Sequence, residues 1–104
     1  MKHLSNKKEH DAFLEENKGK LIVLDFYAQW CPPCRILGPK FEALPGQFKT
    51  CAFAKVDVDQ AEDICKVYEI KCMPTLIYQK DEKILHRIEG CDEDAMVKSV
   101  EEFK

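Results

Sequence analysis

Only Pro32 and Pro33 separate Cys31 from Cys34, and Asp25 interrupts the apolar run that leads into them, Leu21 to Ala28. Two thiols at that spacing can exchange electrons with a disulfide, or they can supply half of a metal site. A carboxyl inside an apolar run can take up a proton, because burial raises its proton affinity toward neutral pH. Together the three side chains point to thiol chemistry coupled to proton transfer.

A zinc site would need further ligands at short spacing. Six residues separate Cys65 from Cys72, and His3, His10 and His86 each stand alone. The metal reading that survives is a zinc or cluster shared between two chains. The exchange reading gains from the setting of the pair, where an apolar strand ends and a helix starts. Prolines suit that position, since the first helical turn has no use for their missing N–H groups. Cys31 falls at or just before the helix start, where backbone N–H groups and the positive end of the dipole favour thiolate. An ordinary thiol is only about 3% ionised at pH 7. Helix-end electrostatics contribute about 0.3–1 kcal/mol, so a hydrogen bond from Cys34 has to supply the rest. Cys31 is therefore the expected nucleophile. Cys34, one turn along and facing inward, is the expected resolving thiol, and the chemistry is exchange through a mixed disulfide.

The elements that must hold these groups can be read from the pattern. A first helix is expected from near Ser5 or Asn6, with Glu9 as a capping partner, ending before Gly19. Leu21–Tyr27 reads as a central strand covered on both faces. After the cysteines, Leu37, Phe41, Leu44 and Phe48 form a helical stripe, which Pro39 should kink; Pro45-Gly46 offers an end to it that the sequence alone does not decide. Ala52, Ala54, Val56 and Val58 alternate as a second strand. Asp59 is expected to cap a short helix burying Ile64, Val67 and Tyr68. Thr75–Gln79 and Ile84–Glu89 flank a charged turn as an antiparallel hairpin. Asp92 caps a last helix with Met96, Val97, Val100 and Phe103 on one face. Strands and helices alternate as far as the hairpin, so an α/β domain with a mixed sheet is expected.

Bulk composition narrows the function classes. The 104 residues are 45% hydrophobic and 34% charged, which suits one globular domain. A net charge of −3 argues against a general nucleic-acid surface. No apolar run reaches the roughly 18 residues of a membrane span, and Met1–Asp11 lacks an apolar signal region. A cytoplasmic protein is the expectation. Six cysteines could form a disulfide framework in a secreted chain, but the ample aliphatic content argues for a core without staples.

Trp30-Cys31-Pro32-Pro33-Cys34 after a strand with an acid, then Lys55-Val56-Asp57-Val58-Asp59, Tyr68-Glu69-Ile70 and Met73-Pro74-Thr75, resemble the thioredoxin family in order and spacing. The resemblance runs from about Asp11 to the C terminus. It implies the thioredoxin fold, a mixed sheet of four or five strands flanked by four helices, in a single domain spanning residues 1–104. It further implies a protein-disulfide reductase with no bound cofactor or metal, taking electrons from NADPH through a thioredoxin reductase and passing them to oxidised proteins. The Met73–Pro74 bond is expected to be cis, and Trp30, Pro32, Met73, Pro74 and Gly90 to line a shallow docking surface where substrate pairs with the Met73 backbone. Asp25 is expected to accept the Cys34 proton, directly or through a water, with Lys55 on the neighbouring strand tempering its charge. Pro32 departs from the glycine of most members, which bears on redox potential and choice of reductase. Glutaredoxins fit less well, since they usually carry tyrosine at the second intervening position. Cys72, which some members share, is the expected site of an intermolecular disulfide in an otherwise monomeric protein. Cys91 is a second candidate, and Cys51 and Cys65 are expected to be packing residues. The rival from another class is a non-catalytic binding subunit on the same fold.

Overall fold

In the computed structural model, which describes residues 1–104, the sheet forms around the strand that carries Asp25. The strands are β1 (Lys2–His3), β2 (Leu21–Tyr27), β3 (Ala52–Asp57), β4 (Thr75–Lys80) and β5 (Lys83–Glu89). The helices are α1 (Lys7–Glu16), α2 (Pro32–Glu42), the single turn α3 (Leu44–Gln47), α4 (Glu62–Val67) and α5 (Glu93–Phe103). Strand order is β1-β3-β2-β4-β5. β3 runs parallel to β1 and β2, while β4 runs antiparallel to β2 and β5, so the sheet is mixed. The fold is the expected thioredoxin fold with five strands.

β2 lies at the centre with both faces covered, and only Tyr27 at its end is partly open. Alternate residues serve two cores. Ile22, Leu24 and Phe26 pack with Phe13 of α1 and Ile64 of α4, whereas Leu21 and Val23 pack with Leu37 and Phe41 of α2 and Met96 and Val100 of α5. Each fully buried aliphatic or aromatic side chain contributes about 1.5–3 kcal/mol, so β2 contributes heavily to both cores. Asp25 shares the second face, beneath α2.

Local sequence explains the helix starts. Asn6 Oδ1 accepts from the Glu9 N–H at 2.9 Å, and Glu9 Oε1 accepts from the Ser5 N–H at 2.7 Å, a reciprocal cap. Asp92 Oδ1 accepts from the Ala95 N–H at 3.0 Å and starts α5. At the end of α4, Glu69 takes φ 51° and donates to the Lys66 carbonyl, while Ile70 N–H bonds the Cys65 carbonyl at 3.1 Å. That is a Schellman ending built without glycine.

Three local expectations are corrected. Asp59 does not cap α4, whose N-cap is Ala61 without a side-chain bond, because the Asp59 carboxylate faces Trp30 instead. Val67 is 52% exposed rather than buried, so α4 is held through Ala61, Ile64 and Tyr68. Pro45 starts α3 instead of ending α2, since a proline at a helix start loses no bond. Pro39 sits inside α2, which continues to Glu42. β1, which pairs Lys2 and His3 with Ala54 and Lys55, was not foreseen.

Candidate active site

Cys31 is the N-cap of α2, with extended backbone at φ −94°, and Pro32 and Pro33 occupy the first turn. Its Sγ accepts from the Cys34 backbone N–H at 3.3 Å and is joined to Cys34 Sγ in a disulfide. The N–H that holds the sulfur would hold a thiolate more strongly once the disulfide is reduced. Both cysteines are nearly covered, Cys31 at 4% and Cys34 at 5% exposure, in a small cluster with Ala28, Tyr27, Val58 and Met73. Cys34 also lines a cleft of about 330 Å³ shared with Tyr27, Gly38, Glu42 and Lys55. Cys31 thus faces Met73, while Cys34 borders the cleft.

On the Cys31 side, the Met73 carbonyl oxygen lies 3.7 Å from Sγ, and the Met73–Pro74 bond is cis. Pro74 is buried, and its carbonyl accepts from the Gly90 N–H at 2.9 Å. Gly90 has φ 100°, a conformation that other residues adopt only under strain. Pro74 and Gly90 therefore shape the backbone around Met73, while the partly open Met73 and the exposed Pro32 and Trp30 supply the outer surface. Trp30 is 61% exposed, yet its indole N–H donates to Asp59 Oδ2 at 2.9 Å, which fixes the ring over the site. Asp59 was missed as part of this site. The signal available was an acid two residues past the end of β3, the strand adjoining that of Asp25.

Asp25 is 1% exposed and its Oδ1 has no hydrogen-bond partner. Loss of hydration raises its pKa from the ordinary 3.8 to about 7, with Lys55 opposing the rise and Glu42 adding to it. Lys55 is the register partner of Asp25 across β2 and β3. The acid is thus set to change protonation near neutral pH, on the sheet face that α2 covers with Cys34, Leu37 and Phe41.

Residues 2–102 match the thioredoxin family model. The chain is 51% identical over 84 residues to thioredoxin of Mycoplasmoides gallisepticum, covering 81% of this chain and 82% of that one. It is 40% identical over 92 residues to thioredoxin-1 of Caenorhabditis elegans, covering 88% and 80%. The solved structure of Fasciola hepatica thioredoxin superimposes with a TM-score of 0.97 at 41% identity over 100% of both chains. The chain belongs to the thioredoxin family.

As a thioredoxin-family member carrying a Cys31–Cys34 disulfide, it is a thiol–disulfide oxidoreductase. The family works by dithiol–disulfide exchange on protein disulfides. The remaining four cysteines are unpaired: Cys51 and Cys65 pack against the two cores, Cys72 is half-buried and Cys91 exposed. No group of three or more His, Cys, Asp or Glu side chains is placed to hold a metal ion, and no helix is long and apolar enough to cross a membrane.

Proposed function

We propose that this chain is a general protein-disulfide reductase, a single domain spanning residues 1–104, recharged by a thioredoxin reductase with electrons from NADPH. The observation that carries the reading is Cys31 Sγ at the mouth of α2, held by the Cys34 N–H and 3.7 Å from the Met73 carbonyl. In the reduced protein the Cys31 thiolate attacks one sulfur of a substrate disulfide, and the other substrate sulfur leaves as a thiolate that water protonates. Cys34 gives its proton to Asp25 and attacks Cys31 Sγ. The Cys31–Cys34 bond forms, the bond to substrate breaks, and two electrons have passed to the substrate. Substrate lies extended along Met73, with Trp30, Pro32, Pro74 and Gly90 shaping the surface that receives it. Lys55 moderates the charge of Asp25.

The protein works as a cytoplasmic monomer without a bound cofactor, and under oxidation it forms a dimer through Cys72. A non-reducing gel comparing the protein with Cys72→Ser checks the dimer, which must vanish in the variant. In an insulin-reduction assay with NADPH and a thioredoxin reductase the protein turns over, Cys31→Ser does not, and Cys34→Ser accumulates mixed disulfides with substrate. Turnover by Cys31→Ser would overturn the assignment.

A further inference from the structure

Lys55 and Asp25 are register partners, and an ammonium beside a buried carboxylate would ordinarily settle on it. It does not. The partner of Lys55 Nζ is Glu42 Oε2 at 3.3 Å, and the ammonium sits over the Tyr27 ring, 4.6 Å from its centroid. The Lys55 side chain is 11% exposed, while Glu42 is 46% exposed at the outer edge of the cleft that Cys34 lines. Gly38, one turn before Glu42, leaves the gap through which the pair meets. A Cβ there would touch both partners, at 3.4 Å from Lys55 Nζ and 3.8 Å from Glu42 Oε2.

Position decides what Lys55 does. Drawn inward, the ammonium would stabilise the Asp25 carboxylate and make it a poor acceptor for a thiol proton. Drawn outward, it leaves a carboxylate whose proton affinity lies near neutral pH, where acid–base transfer is most efficient. We propose that Glu42 is a positioning residue of the resolving step: by holding Lys55 at the outer edge of the Cys34 cleft, it keeps Asp25 a strong enough base to take the Cys34 proton. This rests on Asp25 being that acceptor.

The groups facing Asp25 support the selection of Glu42. Lys55 comes from β3, Glu42 and Cys34 from α2, Tyr27 from β2 and Tyr78 from β4. Burial holds the Tyr27 and Tyr78 hydroxyls above their ordinary range, so neither carries charge near neutral pH. α5 presents Met96 and Val100 to this face. Glu42 is thus the one further charge, and it acts in the same direction directly as through Lys55.

The experiment follows the Asp25 carboxyl carbon by NMR through a pH titration of the reduced protein, its signal identified by loss in Asp25→Asn. Glu42→Gln, at an exposed position and nearly isosteric, should move the midpoint from about 7 toward the ordinary carboxylate range. Lys55→Gln should move it upward. In the Lys55→Gln background, Glu42→Gln should move it much less. Alongside, reduced protein is mixed with an aromatic disulfide and quenched in acid. Peptide-resolved mass spectrometry then gives the decay of the adduct on Cys31, whose pH profile should shift with the NMR midpoint while the rate of initial attack stays unchanged. An unmoved midpoint in Glu42→Gln, or an equal movement with and without Lys55, overturns the role of Glu42. Adduct decay unaffected by Asp25→Asn overturns the acceptor reading beneath it, and the two failures are told apart by the carboxyl titration.

Discussion

Replacing Asp25 with asparagine removes an ionisable group from a site that excludes water, and the structure fixes how stability should respond. Burial raises the carboxyl from 3.8 to about 7. At about 1.4 kcal/mol for each tenfold change in acidity, that rise amounts to about 4 kcal/mol. The sign follows from which state binds the proton more tightly, and here that is the folded state. Below about pH 4 Asp25 is protonated in both states and costs nothing. Between about 4 and 7 the unfolded chain releases the proton first, and stability falls as pH rises. Above about 7 the folded protein carries the buried charge and the whole penalty applies. Asp25→Asn should therefore unfold like the parent protein near pH 4 and be more stable by about 4 kcal/mol near pH 8. Urea unfolding of the oxidised forms at a series of pH values measures this, since Cys34 cannot titrate there and other groups cancel in the difference. A difference that stays flat across that range would refute the burial argument, because Asp25 would then ionise alike in both states.

Glu69→Gly should stabilise the fold by up to about 1 kcal/mol, since glycine accepts φ 51° at the end of α4 without a Cβ penalty; urea midpoints report it. Gly90→Ala should cost at least about 1 kcal/mol at φ 100° and raise the KM for insulin more than it lowers kcat, because Gly90 supports the Pro74 carbonyl beside Met73. Asp59→Ala frees the Trp30 indole, so tryptophan fluorescence anisotropy should fall and KM should rise several-fold. Arg87→Ala removes charged donors to the Tyr68 and Glu69 carbonyls at 2.6 and 2.8 Å and should lower thermal stability by about 2 kcal/mol.

Elements buried on both sides were the most legible in the sequence. Leu21–Tyr27 matches its strand at both ends because a strand covered on two faces needs a continuous apolar run, and Asp25 stood out against it. Cys31 could be placed at a helix start because prolines tolerate the first turn and few other ordered positions. The hairpin strands extend one residue further at the turn, to Lys80 and from Lys83, since the turn closes on Asp81 at φ 53°. Features made by distant parts of the chain were not legible. Lys2 and His3 are exposed and polar, and β1 exists because β3 offers an open edge while Leu4 is buried beside it. Asp59 has the right residue type for a cap, and only the folded position of Trp30 draws it away. Glu42 looks like any solvated residue on α2; its relation to Lys55 arises when β3 passes beneath that helix at Gly38.

The bridge between Cys31 and Cys34 is the chain's sole disulfide and spans a sequence separation of 3. So small a ring restricts the denatured chain far less than a long-range cross-link would. The architecture consequently rests mainly on its two apolar layers, whichever redox state the sulfurs occupy. Opening and closing the bond then alters reactivity at one corner while the scaffold stays assembled, as a thiol–disulfide oxidoreductase requires.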